Sequence, residues 1–208
     1  MELLFVLLLA LLIDLLLGEP SRTIHPVVWM GKVISVWEKF APVQSTRAQL
    51  VYGGGAVLLT IFIFASPVYF LLLYAREISP VAHMIVGALT LKTTFSFREL
   101  RRSGLDIKAL LAEDNLEEVR TRMPALVSRE TQSLGKPELV SATVESLAEN
   151  ICDSFVAPLF YFLLFGVPGA MAYRVVNTWD AMIGYHGKYE YLGKCAAKLD
   201  DILNFIPA

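Results

Sequence analysis

Long uncharged runs alternate with charged stretches along the chain, and the longest run gives the clearest predicted element. Residues 48–75 carry no charged side chain and are bounded by Arg47 and Arg76. About 20 apolar residues suffice to cross the hydrocarbon core as a helix, so this run predicts a transmembrane helix. A leucine-rich run over residues 3–17 predicts a second, shorter helix that the following prolines end.

Two further apolar runs are interrupted by proline or glycine. Residues 78–91 surround a break at Ser79 and Pro80 and predict another membrane helix. Residues 154–173 are also uncharged, but glycine and proline divide them at 166–169. The part before this break would rise only about 18 Å as a helix, which is short of a core of about 30 Å. We therefore expect two half-helices that enter the membrane and return to the same side.

The remaining sequence is polar and amphipathic, with a predicted helix break at residues 103–104. Together these patterns predict an all-α integral membrane protein with several transmembrane helices, a broken or re-entrant helix pair and a cytoplasmic amphipathic helical section. The predicted regions are 1–97 (N-terminal membrane helices with an interfacial loop at 19–49), 98–153 (amphipathic helices) and 154–208 (broken apolar segment and polar tail).

Basic residues predict the orientation of the chain in a cell membrane. They are Arg22, Lys32, Lys39 and Arg47 between the first two apolar segments, and Arg98, Arg101 and Arg102 after the third. If each of these segments crosses once, both groups lie on one side, which the positive-inside rule makes cytoplasmic. The N-terminus then lies outside, and Asp14 and the lack of a basic start indicate a retained segment rather than a signal peptide.

Composition agrees with a membrane protein and excludes several other classes. Hydrophobic residues make up 55% of the 208 and charged residues 18%, below the roughly 25% of soluble domains. The net charge of -2 and the lack of a basic tract argue against a nucleic-acid partner. The two cysteines are far apart and predict free thiols rather than a disulfide framework.

The clearest candidate chemistry is a stripe of carboxylates that runs into an apolar segment. Glu145, Glu149 and Asp153 are spaced four residues apart and share one helix face. Like charges at this spacing repel, and carboxylates at a membrane are costly without a compensating cation. Oxygen ligands of this kind suit Mg²⁺ bound to a phosphate. The alternative is a solvated acidic face at the end of a membrane helix.

Two polar motifs nearer the C-terminus are weaker candidates when each is considered alone. Asn177 and Asp180 are three residues apart, which is equally typical of a helix start. Asp200 and Asn204 are four residues apart with Asp201 adjacent, which is equally typical of an exposed end of an amphipathic helix. A re-entrant break at 166–169 would bring these motifs to the same side as the carboxylate stripe.

A third set lies near the N-terminus. Asp14 interrupts the leucine-rich helix, and intramembrane carboxylates are functional candidates by default. The alternative is that Asp14 reaches the interface, since it lies one turn from the helix end. His25 precedes a proline and is more typical of a turn than of a ligand.

These segments together resemble the adenosylcobinamide-phosphate synthase family of cobalamin biosynthesis, CobD/CbiB, and especially its archaeal members. The resemblance runs nearly end to end. The motifs that carry it are residues 14–20 (DLLLGEP), 25–27 (HPV), 128–131 (SRET), 145–160 (ESLAENICDSFVAPLF), 176–185 (VNTWDAMIGY) and 198–208 (KLDDILNFIPA).

The resemblance implies an ATP- and Mg²⁺-dependent ligase that joins adenosylcobyric acid to aminopropanol or its phosphate through an amide bond. Its implied partners are therefore a corrinoid, an amino alcohol and membrane lipid. The implied catalytic residues are Glu145, Glu149, Asp180 and Asp201, and the implied metal ligands are Glu145, Glu149, Asp153, Asp180 and Asp200. Implied substrate- or nucleotide-binding residues are Asp14, His25, Arg129, Asn150, Asn177 and Asn204, with Arg129 clamping a phosphate or carboxylate.

The sequence departs from the family pattern at several points. Glu19 and Glu130 stand where the family usually has aspartate, which keeps the charge. Family members usually continue past the final motif, so the resemblance implies a chain shortened at its C-terminus, with a complementing C-terminal half or a homo-oligomer as expected partners. Two other functions remain open: a non-catalytic membrane sensor or scaffold of the same superfamily, and an intramembrane prenyltransferase-like magnesium enzyme.

Overall fold

A computed structural model describes residues 1–43, 45–123, 132–185, 187 and 189–208, which form helices and turns without strands. A π-helical turn, Cys152–Val156, joins the seventh and eighth helices. The helices of the described residues are α1 (Glu2–Leu17), α2 (Pro26–Lys39), α3 (Thr46–Ile78), α4 (Pro80–Lys92), α5 (Phe97–Ala112), α6 (Leu116–Arg122), α7 (Lys136–Ile151), α8 (Ala157–Ile183) and α9 (Lys194–Asn204).

A bundle of α1, α3, α4 and α8 forms the main core. The long helix α3 packs on α4 and α8, and α1 packs on α4. Side chains fully buried between them include Ala10, Val57, Leu91, Phe162 and Trp179. Because each helix buries one stripe of such residues, the bundle places the helix ends at fixed positions relative to one another.

The outer surface of the bundle is apolar as well. Leu12 on α1 and Phe62 and Phe70 on α3 are all more than half exposed, and soluble proteins rarely leave such a continuous apolar surface uncovered. Thr46–Ile78 is long and apolar enough to cross a membrane by length and composition, and Lys136–Ile183 meets the same criterion although its helix is broken at Gly166. These features favour association with a membrane.

The predicted break at residues 166–169 is confirmed, and it reverses the chain. Gly166 has φ 69 and ψ -166, a conformation that residues with a Cβ avoid. The rings of Tyr161 and Tyr173 stack with centroids 5.3 Å apart. Arg174 Nη1 donates to the main-chain oxygen of Asp153 at 3.4 Å, although 21 residues of straight helix would separate them by about 31 Å. The two arms on either side of Gly166 therefore form a helical hairpin.

The helix ends gather into two groups. Glu2, Arg76 and Gly166 line one small cavity at the first end. At the opposite end, Asp14 near the end of α1 pairs with Lys92 at the end of α4, with 3.1 Å between carboxylate and ammonium. The predicted site motifs, at the far ends of the hairpin arms and on α9, also lie at this second end, which we call the polar end.

A small satellite core lies outside this bundle, between α5, α6 and α7. Its buried side chains include Ile107, Val119 and Leu139. The prediction of a helix break at residues 103–104 is wrong, because α5 continues through both. A Cβ on Gly104 would lie 3.1 Å from Leu147 Cδ1, so this glycine allows α5 and α7 to approach instead of ending a helix.

The predicted interfacial loop at residues 19–49 also needs correction, since it contains the 14-residue helix α2. Pro26 stands at the first helical position, where proline favours a helix start, and His25 Nδ1 accepts a hydrogen bond from the Val27 amide at 3.2 Å. Met30 and Ile34 lie one turn apart and are fully buried where α2 packs on α8.

Candidate functional site

A cavity of about 680 Å³ opens at the polar end, where α7, the π-helical turn, the second hairpin arm and α9 meet. Among the described residues, no lysine or arginine lines it. We call it the carboxylate cavity because its polar lining residues are Glu149, Asp153, Asp180, Asp200, Asp201 and Asn204. Five carboxylates without a basic residue create a strongly negative site that favours a cation.

Four separate elements bring these side chains together. Glu149 comes from α7 and Asp153 from the π-helical turn, which adds a residue to the helix and is a feature often found at functional sites. Asp180 comes from the second hairpin arm and Asp200 from α9. The reversal at Gly166 is what allows the first and second arms to contribute to one cavity, as the sequence predicted.

Asn204 joins two of the carboxylates. Its Nδ2 donates to Asp153 Oδ1 at 3.0 Å and to Asp200 Oδ2 at 2.8 Å. The Tyr173 hydroxyl donates to Asn204 Oδ1 at 2.8 Å and fixes the orientation of the amide. A single amide thus holds two acidic side chains next to each other.

Asp200 retains one carboxylate oxygen without a partner. The residue is 7% exposed, and its Oδ1 is buried with no hydrogen bond. Burial, together with the negative charges of Asp153 and Asp180, raises the pKa of Asp200 to about 7. A buried carboxylate oxygen without a donor is costly unless a cation or proton compensates it. Mg²⁺, which prefers oxygen ligands, fits this position.

The carboxylates do not form one preassembled metal cluster. Among the described residues, no three His, Cys, Asp or Glu side chains are grouped closely enough to hold an ion. The implied set of five ligands is therefore not assembled: Glu145 is exposed and does not line the cavity. Eight residues separate Glu145 from Asp153, or about 12 Å along a helix, which is too far for both to bind one ion.

Asn177 lies behind the cavity rather than on its surface. It is 8% exposed and lies near the carboxyl groups of Asp153 and Asp200. Arg174 Nη1 donates to Asn177 Oδ1 at 3.1 Å. The predicted binding residue Asn177 therefore lies between the carboxylates and the partly buried Arg174.

Asp180 depends on a glycine one turn later. A Cβ on Gly184 would overlap Asp180 Oδ1 and its main-chain oxygen. The missing side chain leaves room for the Asp180 carboxylate beside the end of α8. This explains the glycine in the motif that spans residues 176–185.

Of two other predicted residues, one is not brought to the cavity and one lies outside the described residues. Asn150 turns back to its own helix, where Nδ2 donates to the Ser146 main-chain oxygen at 2.8 Å and to its hydroxyl at 3.2 Å. Arg129 lies outside the described residues, so its predicted clamping role stays a prediction.

Asp14 and His25 belong to a second polar cluster at the same end. Lys92 Nζ lies 3.1 Å from Asp14 Oδ1 and 2.8 Å from Glu19 Oε1. His25 Nε2 lies 2.8 Å from Glu19 Oε2. Burial alone would raise the pKa of Glu19, but hydrogen bonds from His25 and Lys92 lower it. The Arg98 amide donates to Asp14 Oδ2 at 2.9 Å, so this cluster joins the ends of α1 and α4 to the start of α5.

Sequence reasoning missed Tyr173, Arg174 and Lys92. Arg174 is the first charged residue after the uncharged run of residues 154–173, and Lys92 interrupts an apolar run. Charged residues at such positions are functional or structural candidates in membrane proteins. Tyr173 had no comparable signal, because its role depends on the hairpin contact with Asn204.

Comparison with known proteins assigns the family. A family model described as CobD/Cbib protein matches residues 7–208. The cobalamin biosynthesis protein CobD of Dehalococcoides mccartyi (strain CBDB1) is 52% identical over 208 residues, which cover 100% of this chain and 68% of that relative. A probable cobalamin biosynthesis protein CobD of Pyrococcus furiosus is 46% identical over 202 residues, covering 96% and 68% respectively.

A probable cobalamin biosynthesis protein CobD of Methanothermobacter thermautotrophicus is 42% identical over 204 residues, covering 98% of this chain and 65% of that relative. The chain thus spans about two thirds of the length of these relatives. No solved structure matches it. Since the family model matches almost the whole chain and the relatives share its sequence at this level, the chain belongs to the CobD/CbiB family of cobalamin biosynthesis proteins.

Proposed function

We propose that the protein forms an amide bond at the carboxylate cavity, using ATP and Mg²⁺ to join aminopropanol or its phosphate to adenosylcobyric acid. The observation that carries this proposal is the group of carboxylates around Asp200, whose Oδ1 is buried without a partner. Membership of a cobalamin biosynthesis family supports a corrinoid as the acid substrate.

Asp200 would hold Mg²⁺ together with Asp153 or Asp180, the two carboxylates whose negative charges act on it. Mg²⁺ in proteins commonly uses one or two carboxylates, with phosphate oxygens and water completing its octahedron. This agrees with the lack of a preassembled three-residue cluster among the described residues. When bound, the ion would neutralise charge on the phosphates of ATP and polarise the phosphorus that is attacked.

The reaction has two bond-forming steps. An oxygen of the corrinoid carboxylate attacks the γ-phosphorus of ATP, ADP leaves, and an acyl phosphate forms. The amine nitrogen then attacks the acyl carbon, phosphate leaves, and the nitrogen gives up a proton. Asp201 lines the cavity, is exposed, and would accept this proton as the general base.

Product formation tests the proposal directly. Purified protein in lipid nanodiscs is incubated with adenosylcobyric acid, aminopropanol phosphate, ATP and Mg²⁺, and the amide product is detected by mass. We expect Asp201→Asn to lower the rate by 100-fold or more, as removal of a general base typically does. Asp153→Asn should also lower the rate, because it would remove a proposed oxygen ligand of Mg²⁺. Glu113→Gln is the matched control, because Glu113 is exposed and distant in sequence from the cavity. Absence of product from the wild type overturns the proposal.

We further propose that the polar end faces the cytoplasm in a multi-pass arrangement. Arg22, Arg98 and the carboxylate cavity all belong to this end, and the positive-inside rule favours a cytoplasmic location for such basic residues. Cysteines introduced at Glu145 and Tyr185, which flank the hairpin, should then be labelled from the same side of the membrane. A cysteine at Glu77 should be labelled from the other side, and labelling of residues 145 and 185 from opposite sides would contradict the arrangement.

A further inference from the structure

An apolar groove lies between the first turns of α3 and the helix α9. It encloses about 540 Å³, which is within the range of about 300–1,000 Å³ for small-molecule pockets. Its wall on α3 consists of Leu50, Gly54, Val57 and Leu58. We call it the α3–α9 groove. Because its α3 wall starts just after Arg47, the groove begins where the predicted transmembrane helix enters the membrane.

The start of α9 is fixed against α3, so the groove is a built part of the fold. The Cys195 thiol donates to the main-chain oxygen of Leu50 at 3.6 Å. A Cβ on Gly53 would overlap the main-chain oxygen of Leu192, just before α9. Glycine at this position therefore allows the two backbones to touch.

The helix α9 presents one face to this groove. The residues that line it are spaced along one side of the helix, and they are Lys194, Cys195, Lys198, Leu199 and Ile202. Three of the five are apolar or weakly polar and continue the apolar α3 wall. The two lysines are one helical turn apart and are exposed.

The opposite side of α9 belongs to the carboxylate cavity. Asp200, Asp201 and Asn204 line that cavity, and none of them lines the groove. The helix α9 therefore lies between the groove and the carboxylate cavity, and whatever binds in the groove touches the helix that positions Asp200.

The two lysines of the groove have no carboxylate partner within the described ranges. None of the ion pairs found there includes Lys194 or Lys198, and no described acidic residue lines the groove. Lys194 Nζ lies 5.7 Å from the centroid of the Tyr191 ring. Like charges one turn apart repel each other, so an anion placed between them would be stabilising.

This combination identifies an amphiphile with an anionic head. The apolar walls suit a hydrocarbon chain, and basic pockets between membrane helices bind anionic lipid headgroups. A lysine can lay its stem along an apolar wall while its ammonium reaches the headgroup region. A zwitterionic lipid would also bring a cation close to the two lysines, which disfavours it.

We propose that the α3–α9 groove binds one anionic glycerophospholipid, with an acyl chain between α3 and α9 and the phosphate on Lys194 and Lys198. The bound lipid fixes the position of α9 and thereby of Asp200 on its other side. The site goes beyond the proposed function, and its binding of lipid requires neither nucleotide nor turnover.

Native mass spectrometry of the detergent-solubilised protein measures the affinity, with dioleoyl phosphatidylglycerol as the probe and dioleoyl phosphatidylcholine as the zwitterionic reference. We expect the wild type to bind the anionic lipid at least tenfold more tightly. Each lysine beside an anionic lipid contributes about fivefold in affinity. The double variant Lys194→Gln with Lys198→Gln should therefore lose at least about tenfold for the anionic lipid and treat both lipids alike. Both side chains are exposed, so this variant should fold.

The matched control is Arg101→Gln with Lys108→Gln, which removes the same charge from exposed positions on α5 outside the groove and should bind as the wild type does. Glycerophosphoglycerol, the headgroup without acyl chains, should bind at least tenfold more weakly than the lipid. The proposal is overturned if the wild type binds both lipids equally, if the groove variant binds the anionic lipid unchanged, if the control loses as much affinity as the groove variant, or if the bare headgroup binds as tightly as the lipid. A lipid-free dimer that the groove variant dissociates would also overturn it and would assign the groove to a second copy of the chain.

Discussion

The buried ammonium of Lys92 offers the sharpest test of how the polar end is held together. Lys92 is 3% exposed, and its partner Asp14 is 1% exposed. Replacing Lys92 with methionine keeps most of the side-chain volume but removes the positive charge. Asp14 is then left as a buried carboxylate that retains only the Arg98 amide as a donor, whereas Glu19 keeps His25.

Removal of one partner from a buried ion pair typically costs about 3–5 kcal/mol, because the remaining charge is uncompensated. For a chain of this size, each kcal/mol lowers the melting temperature by about 2–4 °C. We therefore expect Lys92→Met to melt about 6–20 °C below the wild type. The double variant Asp14→Asn with Lys92→Met removes the orphaned charge and should recover at least about 2 kcal/mol of this loss.

Thermal unfolding of the detergent-solubilised protein provides the measurement. Lys108→Met is the matched control, because Lys108 is exposed on α5 and its replacement should change stability by no more than about 0.5 kcal/mol. A melting temperature of Lys92→Met within 2 °C of that of the control would refute the reasoning, since it would mean that the Asp14 carboxylate is not buried against Lys92.

Three further predictions concern the hairpin and the cavity. Ionisation of Asp200 is disfavoured in the fold, because burial and its acidic neighbours raise its pKa from an ordinary 3.8 to about 7. Its stabilising contribution is complete below about pH 4 and is lost as pH rises through 7. If Asp200 were fully buried, this loss would be about 4 kcal/mol. Water in the open cavity reduces it to about 2 kcal/mol. Without Mg²⁺, the melting temperature of Asp200→Asn should therefore be about 4–8 °C above that of the wild type at pH 8 and equal to it at pH 4. Gly184→Ala should displace the Asp180 carboxylate and lower synthase activity at least tenfold with little change in far-ultraviolet circular dichroism. Gly166→Ala forces a Cβ into a left-handed conformation and should cost about 1–3 kcal/mol in thermal unfolding, whereas Gly55→Ala, where the added Cβ meets open space, should be neutral or slightly stabilising.

The helices and the reversal were accessible from the sequence because they depend on local composition. A run of 28 uncharged residues over 48–75 can satisfy its backbone in a membrane only as a helix. Glycine and proline at 166–169 predict a break for equally local reasons. Because a reversal at this break returns the chain to the same side, the sequence also predicted that Glu149 and Asp180 lie near each other.

The errors came from features that local patterns do not encode. The position of Gly104 is decided by the approach of Leu147, and glycine there serves packing rather than helix termination. The helix α2 was taken for a loop because Pro26 was interpreted as a breaker, although proline at the first position starts a helix.

Pairing between distant residues was equally inaccessible. Lys92 and Glu19 are 73 residues apart in sequence, and Tyr173 reaches Asn204 only because the hairpin and α9 pack together. The implied metal ligands are not grouped closely among the described residues, since a helical spacing of four residues aligns side chains on one face while separating them by about 6 Å per step.

The most direct test of the central claim is nucleotide binding at the carboxylate cavity. ATP affinity is measured by calorimetry on the wild-type protein in nanodiscs at pH 7.5, with Mg²⁺ and with a chelator, and on Asp153→Asn, Glu149→Gln and the control Glu113→Gln. We predict Mg²⁺-dependent binding by the wild type and the control, and a loss of at least tenfold in affinity in both cavity variants. ATP binding that is independent of Mg²⁺, or equal in all four proteins, would contradict the assignment of this cavity as the nucleotide site.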